Sequence, residues 1–246
     1  MIKLYHEVLP SADQTMFVIE GMRNPMNSWA LSDSFIFEPD DPVCKCHDCV
    51  TKDELDCLDC DVFLCEEGDL YLGIKDEKLM MNLAKAGPEH RKYLRMLPVY
   101  VRINAPFYWW KEFDTYKVGT VANSCSTMHK LTEKMFSRDQ FSLEKLTGER
   151  LEAMDAVIFA LNKAREQYLE SGKKEDWDEI VQMLPSSYNQ IRNVMLNYEV
   201  LRTIYCQRKG HKLEEWRIFC RWIEQLPYSG LITGDETDNQ KRQGVK

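Results

Sequence analysis

Residues 105–131 read APFYWWKEFDTYKVGTVANSCSTMHKL. Just before them, Val99, Val101 and Ile103 alternate with Tyr100, Arg102 and Asn104, the period of a strand with one buried face. Pro106 suits the first turn of a helix, where its missing N–H would have no partner anyway. The pattern therefore predicts a strand that passes directly into a helix from Pro106 to about Tyr116. On that helix Trp109, Trp110 and Phe113 read as core or subunit-contact residues rather than as a stacking platform. The run after Gly119 is too rich in Ser, Thr and Asn for a helix and reads as a loop carrying function. Its Asn123, Ser124, Cys125, Ser126 and Thr127 supply small polar side chains and consecutive backbone N–H groups, the equipment of an anion cradle. Cys125 as a nucleophile would need a lowered pKa, for which His129 and Lys130 are the neighbours in sequence.

Working outward, Ile2–Val8 reads as a strand. Ser11–Met22 reads as a helix that Ser11 or Asp13 can cap and Asn24-Pro25 ends. Gly73–Lys85 is helical in pattern and stops at Gly87-Pro88. His90 follows, between that helix and the strand, where a cofactor contact and a plain surface histidine are both open readings. Downstream, the apolar positions from Leu151 to Leu169 keep helical spacing up to Gly172, and Asp176–Met183 makes a shorter helix. Ser186 or Ser187 can then cap another helix, with Ile191, Met195, Tyr198, Leu201 and Tyr205 as its apolar stripe. On such a helix Asn197 and Arg208 fall about three turns apart and share a face. The Arg208 fork suits a carboxylate, a phosphate or a pyrimidine carbonyl, or an ion pair with Glu214 or Glu215. A last helix carries Leu213, Trp216, Phe219, Cys220 and Ile223 and closes at Pro227. The fold class is α+β, with strands early and a helix-rich C-terminal half. One domain is expected over 1–230, with a Cys-rich insertion at 39–68 and a flexible tail at 231–246.

The 246 residues are 44% hydrophobic, enough for a sizeable core. A formal charge of −8 argues against a nucleic-acid partner, which needs a basic surface. No apolar run approaches the roughly 20 residues of a membrane helix, and MIKLYHEVLP lacks the basic start and apolar centre of an export signal. A cytoplasmic location without membrane attachment is expected. There the nine cysteines would stay reduced. Cys46-x-x-Cys49 and Cys57-x-x-Cys60 have the spacing that brings thiolates to one tetrahedral zinc ion. Their short separation, with Cys44, His47 and Cys65 as competing ligands, leaves structural zinc, a reduced loop and redox chemistry all open.

Three features together resemble the flavin-dependent thymidylate synthase (ThyX) family. They are the order of IEGMRNPMNSW, GPEHRKYLR and VYVRINAPFYWWKEF, a gapless register of the family's Arg-His-Arg and Ser-loop signature on Thr115–Met128, and the segment LPSSYNQIRNVMLNYEVLRTIYCQRKGHKLEEW. The resemblance spans roughly Ile2–Pro227 apart from the insertion, and implies a central, mostly antiparallel sheet and a homotetramer with active sites between subunits. It implies one-carbon transfer from methylenetetrahydrofolate to C5 of dUMP, with FAD reduced by NADPH as hydride source. It also leaves room for another pyrimidine nucleotide, or for a non-catalytic nucleotide-binding or assembly protein. By the same resemblance, Glu112 and the residues Asn123–Thr127 meet the nucleotide. His90, Thr115, Tyr116, Lys117 and Asn197 meet the flavin, and Arg208 contacts the uracil ring. The sequence departs from the family where it lacks arginines: Thr115, Thr127 and Val181 stand where the family has them.

Overall fold

The computed structural model of the protein describes residues 1–37, 68–126 and 130–234. Nearly all of the expected insertion, with Cys46, Cys49, Cys57 and Cys60, lies outside the described residues, as do Thr127, His129 and residues 235–246. In chain order the elements are β1 (Lys3–Val8), α1 (Ala12–Arg23), β2 (Phe35–Ile36), β3 (Leu70–Tyr71), α2 (Ile74–Ala86), β4 (Pro98–Pro106) and α3 (Phe107–Phe113). They continue with β5 (Val121–Ser124), α4 (Glu149–Ser171), α5 (Lys174–Met183), β6 (Asn189–Asn197), α6 (Tyr198–Arg208), α7 (Glu214–Ile223) and a final turn α8 (Gly230–Thr233). Strands β1-β4-β6-β5 form one sheet, in which β5 pairs antiparallel with β6, and β2 and β3 pair as a separate antiparallel ribbon. The α+β class and the helix-rich second half follow.

Two compact units, interleaved along the sequence, account for the residues expected as one domain. The first comprises Met1–Glu7, Tyr100–Met195 and Gly210–Phe219. One of its cores is aromatic: Trp109, Trp110 and Phe113 of α3 are buried with Trp216 and Phe219 of α7, and the Trp109 ring lies 4.8 Å from that of Trp216 and 5.0 Å from that of Phe113. The tryptophan pair is thus core, as its spacing suggested. A second core joins α4 to α5 through Ile158, Leu161, Ala164 and Ile180, with Phe136, Phe141 and Leu143 packed on them. Gly172 ends α4 at φ 62°, a left-handed conformation that costs an L side chain energy.

Two expectations are corrected in this unit. The segment after Ser186 is a strand, β6, with Asn189–Asn197 extended and the helix beginning only at Tyr198. The supposed helical stripe is partly solvent-facing, since Ile191 is 40% exposed, whereas Val194 and Leu196, two apart, are 2% and 0% exposed. Pairing with β5 and the period of two override the i, i+4 coincidence. Likewise Val121–Ser124, expected as loop, is an edge strand with every residue exposed.

The second unit comprises Val8–Val99, Leu196–Lys209 and the chain from Cys220 onward. Ser11 caps α1 in a reciprocal box with Gln14. Asp76 is fully buried in α2 and accepts from Arg23 Nε (2.6 Å), Ser32 Oγ (2.6 Å), Ser34 Oγ (2.6 Å) and the Ser34 N–H (3.1 Å). Asp33 in turn caps α2 from a distance, accepting from the N–H groups of Lys75 (2.8 Å) and Asp76 (3.1 Å). Only glycine fits at the neighbouring position 73, because a Cβ there would stand 2.4 Å from the Asp33 carbonyl carbon. At the end of the chain, Arg202 donates to the carbonyls of Leu231 (3.0 Å) and Ile232 (3.1 Å), whose side chains are buried. The tail expected from residue 231 therefore does not begin there.

Burial alone would push the Asp76 pKa up, but the donors from Ser32, Ser34 and Arg23 outweigh it and hold the carboxyl below its ordinary value. Asp76→Asn is expected to cost roughly 3–5 kcal/mol in urea denaturation at neutral pH, because Arg23 stays buried without its counter-ion. A depressed folded-state pKa contributes stability that is complete above the unfolded value of about 4 and is lost as the pH falls through the folded value. Acid titration of unfolding should show that loss in the native protein and a flatter limb in the variant.

Candidate functional site

In the first unit the start of α3 is fixed from outside. The Phe107 N–H donates to the Tyr188 carbonyl and the Tyr108 N–H to the Ser186 carbonyl, both at 3.0 Å. These bonds occupy helix-terminal donors that have no partner within the helix. The Trp110 indole N–H donates to the Gln190 carbonyl at 3.0 Å, which ties α3 to β6. Above that indole, 4.1 Å from the ring centroid, lies the Arg192 guanidinium. Its Nη1 donates to Asp114 (2.6 Å) and its Nε to the Gln190 side-chain oxygen (2.9 Å). A cleft of about 220 Å³ opens here between α3 and the segment after α5, with Phe107, Trp110, Lys111 and Asp114 on one side and Leu184, Ser186 and Arg192 on the other.

The Ser/Cys run adjoins Arg192 across the sheet. Ser124 pairs directly with Arg192 and Asn123 with Asn193. Directly opposed residues share a face of an antiparallel sheet, so Ser124 lies on the face of Arg192. Asn123 lies on the other face with Asn193, whose side chain accepts from Arg102 (2.9 Å). The Cys125 N–H donates to the Ile191 carbonyl (2.8 Å), and the Gln190 amide donates to the Cys125 carbonyl (3.0 Å). One side chain, Gln190, therefore holds both the start of the Ser/Cys run and the Arg192 fork. The Cys125 thiol is exposed and Ser126 half-buried. Lys130 ion-pairs with Glu133.

Glu112, on α3, accepts from the Trp216 indole N–H (2.8 Å) and stands 3.6 Å from His211 Nε2. His211 Nδ1 accepts the Leu213 N–H (3.2 Å), which leaves the ring proton on Nε2, facing the carboxylate. Thr115 donates its hydroxyl to the Glu112 carbonyl (2.7 Å), the Tyr116 ring meets Trp216 edge-on at 6.0 Å, and Lys117 is exposed. Tyr108 donates to Glu215 at 2.5 Å; burial and that carboxylate together raise the phenol's pKa.

The second unit carries the other three predicted residues. His90 is exposed, with Nε2 3.5 Å from Glu89. Asn197 is not within a helix but caps one: it is buried, and its side-chain oxygen accepts the Val200 N–H at 3.0 Å. Arg208 is the last residue of α6 and is half-buried. Within each unit the predicted residues stay apart: in the first, Glu112 faces Trp216 and His211 while Ser124 and Cys125 lie beside Arg192 and Gln190, and in the second Asn197 and Arg208 stand at opposite ends of α6, about 16 Å apart by helical rise. Sequence reasoning missed Gln190, Arg192 and Asp114. The signal that could have found the first two was the alternation of Gln190, Arg192, Val194 and Leu196, hidden by the helical reading.

Against solved structures, the chain is similar to thymidylate synthase X (ThyX) from Helicobacter pylori, crystallised with FAD and dUMP, at 15% identity and a TM-score of 0.57 over 94% of this chain and 95% of that one. It is also similar to the UMP/dUMP methylase PolB from Streptomyces cacaoi, bound with 5-Br dUMP, at 10% identity and a TM-score of 0.55 over 95% and 94%. No protein-family model and no curated protein matches the sequence. The chain has the ThyX fold, at a sequence divergence that leaves its chemistry to be argued from the residues themselves.

A flavin dinucleotide needs a cation at its pyrophosphate, and Lys117 fits: it is exposed and has no partner among the described residues. Glu112→Ala is expected to cost about 1–3 kcal/mol in thermal or urea unfolding, since it leaves the Trp216 indole N–H without its acceptor. Glu112→Gln, which keeps an oxygen there, should restore most of the loss.

Proposed function

We propose that this protein is a flavin-dependent enzyme that transfers a one-carbon unit to C5 of a pyrimidine deoxynucleotide, converting dUMP to dTMP. The observation that carries the reading is local: the small-residue run expected to meet the nucleotide is held by Gln190 beside a fixed guanidinium at the mouth of a cleft. The ThyX fold over nearly the whole chain supports it. FAD, reduced by NADPH, supplies the hydride when bound, and methylenetetrahydrofolate the carbon. For this chain's residues the reading gives Lys117 and Tyr116 to the flavin, with His90, Thr115 and Asn197 alongside. It gives Glu112 and Asn123–Thr127 to the nucleotide, and Arg208 to polarising the uracil ring so that C5 becomes nucleophilic. No protein nucleophile is required, which relieves Cys125 of that role. The likeness to a methylase that takes both UMP and dUMP favours, as a second reading, a substrate other than dUMP.

A homotetramer with sites completed between subunits belongs to the same reading and is checked by light scattering of the purified protein. Purified protein should be yellow or take up FAD, and with dUMP, NADPH and methylenetetrahydrofolate should yield dTMP by mass spectrometry. Arg208→Ala should lower kcat/KM roughly ten- to a hundred-fold, the worth of one charge-assisted contact. A colourless protein that cannot be reconstituted, or full activity in that variant, would contradict the proposal. On spacing alone, Cys46, Cys49, Cys57 and Cys60 are proposed to hold a structural zinc ion. Elemental analysis should find about one zinc per chain, and less in Cys57→Ser.

A further inference from the structure

We infer that the cleft beside Trp110 is the phosphate subsite of this protein, with Lys111 and Arg192 as its cations in place of the arginines that the sequence lacks at Thr127 and Val181. The inference rests on the nucleotide-binding reading above and deepens it.

Arg192 is prepared for an anion. Asp114 accepts from Nη1, Gln190 accepts from Nε and the Trp110 ring lies beneath the guanidinium, so the cation is fixed before any ligand arrives. Its Nη2 has no hydrogen-bond partner among the described residues. Lys111, one helix position beyond Trp110, lines the same cleft, is exposed and has no ion-pair or hydrogen-bond partner among the described residues. Of the two, Arg192 is already balanced by Asp114, so the cleft as a whole is one positive charge in excess.

A carboxylate offers two oxygens, whereas a phosphomonoester offers three and can take Lys111, Arg192 Nη2 and a hydroxyl at once. The hydroxyl of Ser186 in the cleft wall and that of Ser124, on the face of Arg192, are donors for the third oxygen. Size agrees. About 220 Å³ is less than the roughly 300–1,000 Å³ that encloses a whole drug-sized ligand. The cleft therefore takes one end of a nucleotide, with Phe107 and Leu184 as an apolar wall for the adjoining sugar. The other end of the ligand projects out of it.

Calorimetric titration of the full-length protein tests this with dUMP, UMP, deoxyuridine and inorganic phosphate at two salt concentrations. In Lys111→Met the affinity for dUMP should fall roughly ten- to a hundred-fold, with a shallower salt dependence, while that for deoxyuridine stays put. Lys111→Arg should restore it. Arg192→Lys, which keeps the charge but loses the fork, should weaken dUMP without changing deoxyuridine. A merely structural role for either residue would move both ligands together. If dUMP binds the native protein and both variants equally, the cleft is not its phosphate site, although the nucleotide reading stands. If no pyrimidine nucleotide binds but inorganic phosphate binds in a Lys111-dependent way, the cleft is an anion site and the nucleotide reading fails. If nothing anionic binds, both are overturned.

Discussion

A guanidinium set over a buried indole is the contact on which the cleft of the first unit depends. Arg192 over Trp110 joins β6 to α3, and a partly exposed cation–π pair of this kind is worth about 1 kcal/mol. Its larger effect is geometric. Trp110 is fixed by its bond to the Gln190 carbonyl, and Asp114 and Gln190 hold two nitrogens of the guanidinium above it. Gln190 then passes the constraint to Cys125, so the edge strand and the cation are set by the same side chain. The aromatic core beneath α3 supplies the rigidity, because Trp109, Phe113, Trp216 and Phe219 interlock where a side-chain shift would open a void.

Much of this architecture could be read along the chain wherever local pattern and tertiary context agree. Alternation at Val99–Ile103, the Ser11 cap and the Gly172 stop each state their structure in a few consecutive residues, and each is met in the fold. The failures occurred where two periods overlap. From Gln190 to Tyr205 the apolar residues satisfy i, i+4 and i, i+2 at once, and the neighbouring strands β4 and β5 decide between them. β5 itself was illegible because an exposed edge strand has no buried face to produce a pattern. The Asp33 cap on α2 lies 42 residues from Lys75, beyond the reach of any cap rule written in consecutive positions. As for the site, the small-residue run could be seen as polar equipment, whereas Arg192 looked like one charge on a helix face. Its importance lies in what surrounds it.

The sequence has no arginine at Thr115, Thr127 or Val181, where the resemblance to ThyX leads one to expect it, whereas the structure holds one guanidinium, Arg192, on a strand among three neighbours. A cation held by three neighbours loses less entropy on meeting an anion than one on a free loop. In the second unit one carboxylate, Asp76, likewise satisfies two hydroxyls, two backbone N–H groups and a guanidinium, and so joins α1, α2 and the approach to β2.

The ribbon of β2 and β3 ends in a closed gate. The Phe37 N–H donates to the Asp69 carbonyl and the Gly68 N–H to the Phe37 carbonyl, both at 2.9 Å. The two ends of residues 38–67 are therefore pinned side by side. Closing the ribbon asks the same backbone geometry of its ends whatever the length of the chain between them, with an entropy cost that grows only as the logarithm of that length.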